Sequence, residues 1–192
     1  MKRPAAAFTP AVCLALIILA ALAGCGGKAA RARSENAAGY YNRGLAHYEK
    51  GSYDLAIADF DRAITANPNN ADAYMKRGRS HFIRGSYNMA IDDYSRAIKI
   101  NPGSAQAYRD RGAAYLGKGS SDQAIEDFSQ AIKINPNNAD TYIARSTACI
   151  SKGDLDTAAA DLKAAARINP DHPQIDILKA AIEDARKETG RP

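Results

Sequence analysis

Four prolines, Pro68, Pro102, Pro136 and Pro170, stand 34 residues apart in a chain of 192. Each closes a similar phrase. The first is YYNRGLAHYEKGSYDLAIADFDRAITANP, from Tyr40 to Pro68, and the next three open at Tyr74, Tyr108 and Tyr142. A fixed period of this length means one supersecondary unit stacked on copies of itself, since a single copy cannot bury its apolar face alone.

The unit reads as two helices. Tyr40, Gly44 and His47 fall on one helical face, and Ala56, Phe60 and Ala63 make a second stripe with the same spacing. Gly51 between them suits the left-handed position that ends a helix, and Ser52 can cap the next one. Pro68 lacks an N–H and disfavours helix in Asn67, so the second helix stops there.

This outline resembles the tetratricopeptide repeat. Tyr40, Gly44, Ala56, Phe60, Ala63 and Pro68 fall on it, as do Tyr74, Gly78, Ala90, Tyr94, Ala97 and Pro102. Tyr108, Gly112, Ala124, Phe128, Ala131 and Pro136 follow. The fourth copy keeps Tyr142, Ala158, Ala165 and Pro170, with Ser146 and Leu162 replacing the glycine and the aromatic. The resemblance covers residues 37–170. It implies an all-α, right-handed α-solenoid of four helix-turn-helix repeats, at 35–68, 69–102, 103–136 and 137–170, with a capping helix and tail at 171–192.

One departure recurs. Where the family usually has leucine, this chain has Arg43, Arg77, Arg111 and Arg145, and each copy carries an aspartate before the second-helix aromatic slot: Asp59, Asp93, Asp127 and Asp161. Gly51 lies midway between Arg43 and Asp59, so a hairpin folded there sets them face to face, and the same holds around Gly85, Gly119 and Gly153. The spacing predicts an Arg–Asp bridge inside every hairpin. The alternative is a row of ligand-binding arginines.

The N-terminal stretch reads differently. Lys2 and Arg3 precede an apolar run from Ala11 to Ala23, too short to span a bilayer comfortably and typical of a secretory signal. Leu22-Ala23-Gly24-Cys25 then resembles the lipobox of a bacterial lipoprotein, which implies a signal peptide at 1–24 and lipid on Cys25. An ordinary secretory signal with an incidental cysteine is the plainer alternative. Residues 25–34, small and basic, read as a flexible tether whose Lys28, Arg31 and Arg33 either touch anionic head groups or are simply solvated. The resemblance implies a bacterial cell envelope, lipid-anchored, with a periplasm-facing place on the outer membrane expected and Gly26 permissive for it.

Charge excludes one class of partner. The chain has 26 basic and 21 acidic residues; without Lys2 and Arg3 the balance is 24 − 21 = +3, and no recognised module gathers it into a nucleic-acid face. With Cys13 in the leader and Cys25 lipidated, only Cys149 is left, so no internal disulfide can form. Cys149 occupies the slot of His47, His81 and Tyr115, where a buried thiol is expected; a His–His–Cys metal site would need ligands closer together than packed helices allow. Asn70, Ser104 and Asn138 can cap first helices, and Ser86, Ser120 and Asp154 second helices. Ile175, Leu178, Ile182 and Ala185 form the stripe of a closing helix, with Lys179, Glu183 and Arg186 outside.

In the family, first helices line a concave groove. The resemblance places Tyr41, Leu45 and Tyr48 there from the first copy, then Met75, Lys76, Arg79 and Phe82, then Arg109 and Leu116, then Ile143, Thr147 and Ile150. This is an apolar strip with a basic middle, suited to an apolar peptide or helix carrying an acidic element, unless neighbouring first helices cover it. Some relatives clamp a terminal carboxylate; only Asn42 resembles that set. There is no nucleophile elbow, phosphate loop or metal-ligand cluster, so neither an enzyme nor a cofactor is expected. Two functions stay open: a lipid-anchored scaffold binding an envelope protein or peptide, and a self-associating component of a pilus, secretin or cell-wall assembly.

Overall fold

A computed structural model of the chain describes residues 36–189. The signal peptide, Cys25 and the tether lie outside the described residues. Helix α1 spans 36–49. It is followed by α2 (Tyr53–Ala66), α3 (Ala71–Ile83), α4 (Tyr87–Ile100) and α5 (Ala105–Gly117). Then come α6 (Ser121–Ile134), α7 (Ala139–Lys152), α8 (Leu155–Ile168) and α9 (Gln174–Thr189). The described residues are all helix and turn, with no strand.

Each hairpin turns on a glycine with positive φ: Gly51 at 74°, Gly85 at 74°, Gly119 at 84° and Gly153 at 81°. A side chain there would meet Cβ strain. Within each hairpin the two helices meet on a glycine and a ring. A Cβ on Gly44, Gly78 or Gly112 would lie 2.7–2.8 Å from the nearest ring carbon of Phe60, Tyr94 or Phe128. In the fourth hairpin the ring gives way to Leu162, and Ser146 fits, its hydroxyl donating to the Ala158 carbonyl at 3.0 Å. The two departures are one paired change.

The turns between hairpins are capped by side chains. Asn70, Ser104 and Asn138 accept from the backbone N–H of Ala73, Ala107 and Thr141 at 3.1–3.2 Å. The second helices behave otherwise. Ser52, Ser86 and Ser120 make no side-chain cap, while Asp154 accepts from Thr157 N at 3.2 Å. After the glycine turn these residues hold ψ of 61–76°, against 92–103° at the first-helix caps, and only the longer aspartate reaches the orphan N–H.

Successive hairpins pack so that first helices also touch one another, α3 with α5 and α5 with α7, whereas no two of the second helices α2, α4, α6 and α8 touch. First helices therefore form the inner, concave side. The open end is closed by α9, whose Ile175 and Ile182 are buried against Ile143, Cys149 and Leu162, with Leu178 and Ala185 packed alongside. Arg186 reaches back to Asp156 at 2.7 Å.

Candidate partner-binding face

The four arginines are structural. Arg43, Arg77, Arg111 and Arg145 each donate Nε and Nη2 to the two carboxylate oxygens of Asp59, Asp93, Asp127 and Asp161, at 2.5–2.9 Å. All four aspartates are buried, at 3% exposure. Three of the arginines also reach the preceding hairpin: Arg77 to Asp61, Arg111 to Ser95 and Arg145 to Ser129. The guanidinium planes of Arg43, Arg77 and Arg111 lie over Tyr40, Tyr74 and Tyr108, centroids 5.4–5.7 Å away. Nε and Nη2 of each arginine are spent on its own aspartate, and in Arg77, Arg111 and Arg145 Nη1 is spent as well, which fits bracing of the hairpins rather than a ligand row.

The inner face keeps most of the expected strip half-exposed. Tyr41, Leu45, Tyr48, Phe82, Leu116, Thr147 and Ile150 are all of intermediate exposure. Tyr48 stacks edge-on against Tyr53 and Phe82 against Tyr87, both at 5.5 Å, so the rings are held in place rather than free. Lys76 stands over the Tyr48 ring at 5.6 Å, joining the first two hairpins across the face. Partial burial raises the phenol pKa of Tyr41 and of Tyr48, keeping both as neutral hydroxyls.

Two members of the strip are corrections. Met75, 9% exposed, and Ile143, 3% exposed, belong to the core. Curvature is the reason: α3 closes on α5 and α7 on α9, so Met75 packs in the cluster with Ala107 and Ala114, and Ile143 in the cluster with Ile175.

The basic middle is also corrected. Arg79 Nε donates to Asp110 Oδ2 at 2.7 Å, and Arg109 lies 3.9 Å from the other Asp110 oxygen and 3.7 Å from Asp140. Gln106 bonds both Asp110 and Arg109. Burial works against the Arg79 charge, yet Asp110 outweighs it and raises its pKa. The centre of the face is thus a satisfied ion network between apolar walls, with no unmet demand for an acidic ligand. Asp110 was invisible as a groove member because its partner Arg79 lies on the neighbouring hairpin.

Cys149 is wholly buried, and burial pushes its thiol up to about 11. His47 lies 3.7 Å from Asp59 and His81 is half-buried beside Asp93. Among the described residues, no group of three His, Cys, Asp or Glu side chains is close enough to hold a metal ion.

A curved stack of helical hairpins with an apolar, hydrogen-bonded inner face defines a protein-interaction scaffold. Profiles described as tetratricopeptide repeat match residues 27–71, 41–105, 105–138 and 139–172, and the chain belongs to the tetratricopeptide repeat family. Among solved structures, the crystal structure of MamA protein is 26% identical, with 81% of this chain and 84% of that chain aligned and a TM-score of 0.74. The second such domain of human RPAP3, solved with the HSP70 peptide SGPTIEEVD, is 27% identical over 59% of this chain and 94% of its own, with a TM-score of 0.57. YrrB, described as having an unusual peptide-binding site, shares the fold at 19% identity over 84% of this chain and 83% of that one, with a TM-score of 0.70. No curated protein sequence matches the chain.

Proposed function

We propose that this protein is an adaptor that seats an extended or helical segment of a partner protein on its inner face, and that lipid on Cys25 holds it to a bacterial envelope membrane. The observation that carries the first part is the row Tyr48, Phe82, Leu116 and Ile150, one from each hairpin, half-exposed along the concave side. Rigid aromatic anchors of this kind dominate binding energy at interfaces. The neutralised centre at Arg79, Asp110 and Arg109 favours a ligand apolar along its length, with polar groups meeting Gln106 and Thr147. The RPAP3 domain with its bound peptide supports the use of this fold for a segment rather than a small molecule.

The test is a photo-crosslinking residue at Tyr48 or Leu116 in the full chain, in cells. Crosslinks to a discrete partner, lost when Tyr48→Ala and Phe82→Ala are combined, are expected. Crosslinks only to a second copy of the chain, with matching oligomers in light scattering, would replace the adaptor with a self-assembling component. The anchor has its own readout: metabolic labelling with a radioactive fatty acid, present in the wild type and absent in Cys25→Ser.

A further inference from the structure

The second helices end on one edge of the stack, and that edge has a composition of its own. Each of the last three closes with a cation and an isoleucine: Lys99-Ile100, Lys133-Ile134 and Arg167-Ile168. The isoleucines are 36–40% exposed, and all three cations are exposed. Lys99, Lys133 and Arg167 make no ion pair among the described residues, and neither do Arg96 and Lys163 one turn earlier. The opposite edge differs. There Arg84, Lys152 and Arg186 each pair with an aspartate of the preceding hairpin, Asp54, Asp122 and Asp156, although Lys50 and Lys118 make no ion pair among the described residues and Leu55, Ile83 and Met89 are exposed.

Exposed isoleucines alternating with cations suit a surface that is negative outside and apolar beneath. The acids nearest this edge, Asp72, Asp140, Asp171 and Asp176, stand beyond the prolines at the starts of α3, α7 and α9; Asp140 is held by His172 at 3.0 Å and Asp176 by Lys179 at 3.1 Å. Arg96, Lys99 and Ile100 also line an open recess with Pro68, Asn69 and Tyr74, where two cations flank one cavity beside the turn.

The position of α1 adds an independent argument. First helices all begin at this edge, so the described fold starts here, at residue 36. The stretch back to Cys25 spans at most about 40 Å when fully extended. A lipid on Cys25 would hold this edge nearer the bilayer than the opposite one, which lies about 20 Å further along the helices.

We propose that this edge docks on an anionic lipid surface, with Lys99, Lys133 and Arg167 at the headgroup phosphates and Ile100, Ile134 and Ile168 at the acyl boundary. The orientation rests in part on the anchor reading above; the surface itself does not.

The experiment uses the chain from Gly26 onwards, which retains every described residue and needs no lipid. Its sedimentation is measured with vesicles of phosphatidylcholine alone and with about a quarter phosphatidylglycerol added. Binding to the anionic vesicles only, weakened by salt, is expected. Lys99→Glu, Lys133→Glu and Arg167→Glu together should lower it at least about tenfold. Ile100→Ser with Ile134→Ser should weaken it with the charges intact, which separates a lipid surface from a site for free phosphate. Tyr48→Ala with Phe82→Ala should leave it unchanged. Circular dichroism confirms that each variant is folded. Equal binding to neutral vesicles, retention by the folded charge-reversed variant, or displacement by inorganic phosphate but not by chloride at matched ionic strength would overturn the proposal. Loss of fatty-acid labelling at Cys25 would remove the anchor alone, because the vesicle assay contains no acylated protein.

Discussion

Arg77 and Asp93, on the two arms of one hairpin, are joined by parallel hydrogen bonds of 2.9 and 2.5 Å, and the same guanidinium reaches Asp61 of the hairpin before. Asp93 is 3% exposed, so its removal strands a part-buried cation. We expect Asp93→Ala to lower unfolding free energy by about 3–5 kcal/mol. Arg43→Ala should cost less, since Arg43 is 52% exposed and Arg62 remains 3.5 Å from Asp59. Urea denaturation of both variants checks the order.

The contact between Gly112 and Phe128 predicts a non-additive pair. Gly112→Ser alone forces an atom to within 2.8 Å of the ring and should destabilise by about 1–3 kcal/mol. Phe128→Leu alone opens a void. Together they recreate the Ser146–Leu162 arrangement of the fourth hairpin, so the double variant should lose less than the sum of the singles by at least about 0.5 kcal/mol. A double-mutant cycle in urea measures it.

Acid should weaken the fold in two steps. Burial holds the His81 imidazole below its ordinary value of 6.5, with Asp93, Arg77 and Asp61 around it. The unfolded chain then binds the proton more readily, so the stability from His81 is complete above pH 6.5 and is lost as pH falls towards the folded value. Hydrogen bonding from Arg43 holds the Asp59 carboxyl below 3.8; its contribution is present above that value and disappears as pH falls through the folded one. Urea midpoints should drop between about pH 7.5 and about pH 5.5, and the drop should shrink in His81→Gln.

Cys149 should resist modification. Its thiol is fully buried and raised to about 11, so little thiolate exists at neutral pH. Reaction with a disulfide reagent should be slow in the native protein and rapid in denaturant. Fast native labelling would show that α7 and α9 separate readily.

What the sequence disclosed followed the distance over which each feature is set. Helix limits and the Arg–Asp pairs are fixed within one hairpin, where position along one arm determines position along the other. Arg145 and Asp161 could be paired by counting from Gly153 alone. The Arg79–Asp110 contact, across 31 residues and two hairpins, depends on how far one hairpin is displaced against the next, and no spacing carries that quantity. Curvature hid the fate of Met75 and Ile143 in the same way, because a periodic pattern assigns them the same surface as Tyr41 and Arg109. The serines after the glycine turns failed as caps for a smaller reason: residue type suited the role, but the tight turn set the hydroxyl out of reach.

The arginine that pins each hairpin to its predecessor does not find the same hand to hold each time. Arg77 clasps a full charge on Asp61, while Arg111 and Arg145 clasp the hydroxyls of Ser95 and Ser129. Asp61 adds the attraction of a full opposite charge to the Arg77 contact, at a half-exposed site where water screens most of it. No joint depends on that contact alone: Arg84 with Asp54, Arg79 with Asp110 and Lys152 with Asp122 tie the three joints in turn, so a pull on the stack is shared among its coils.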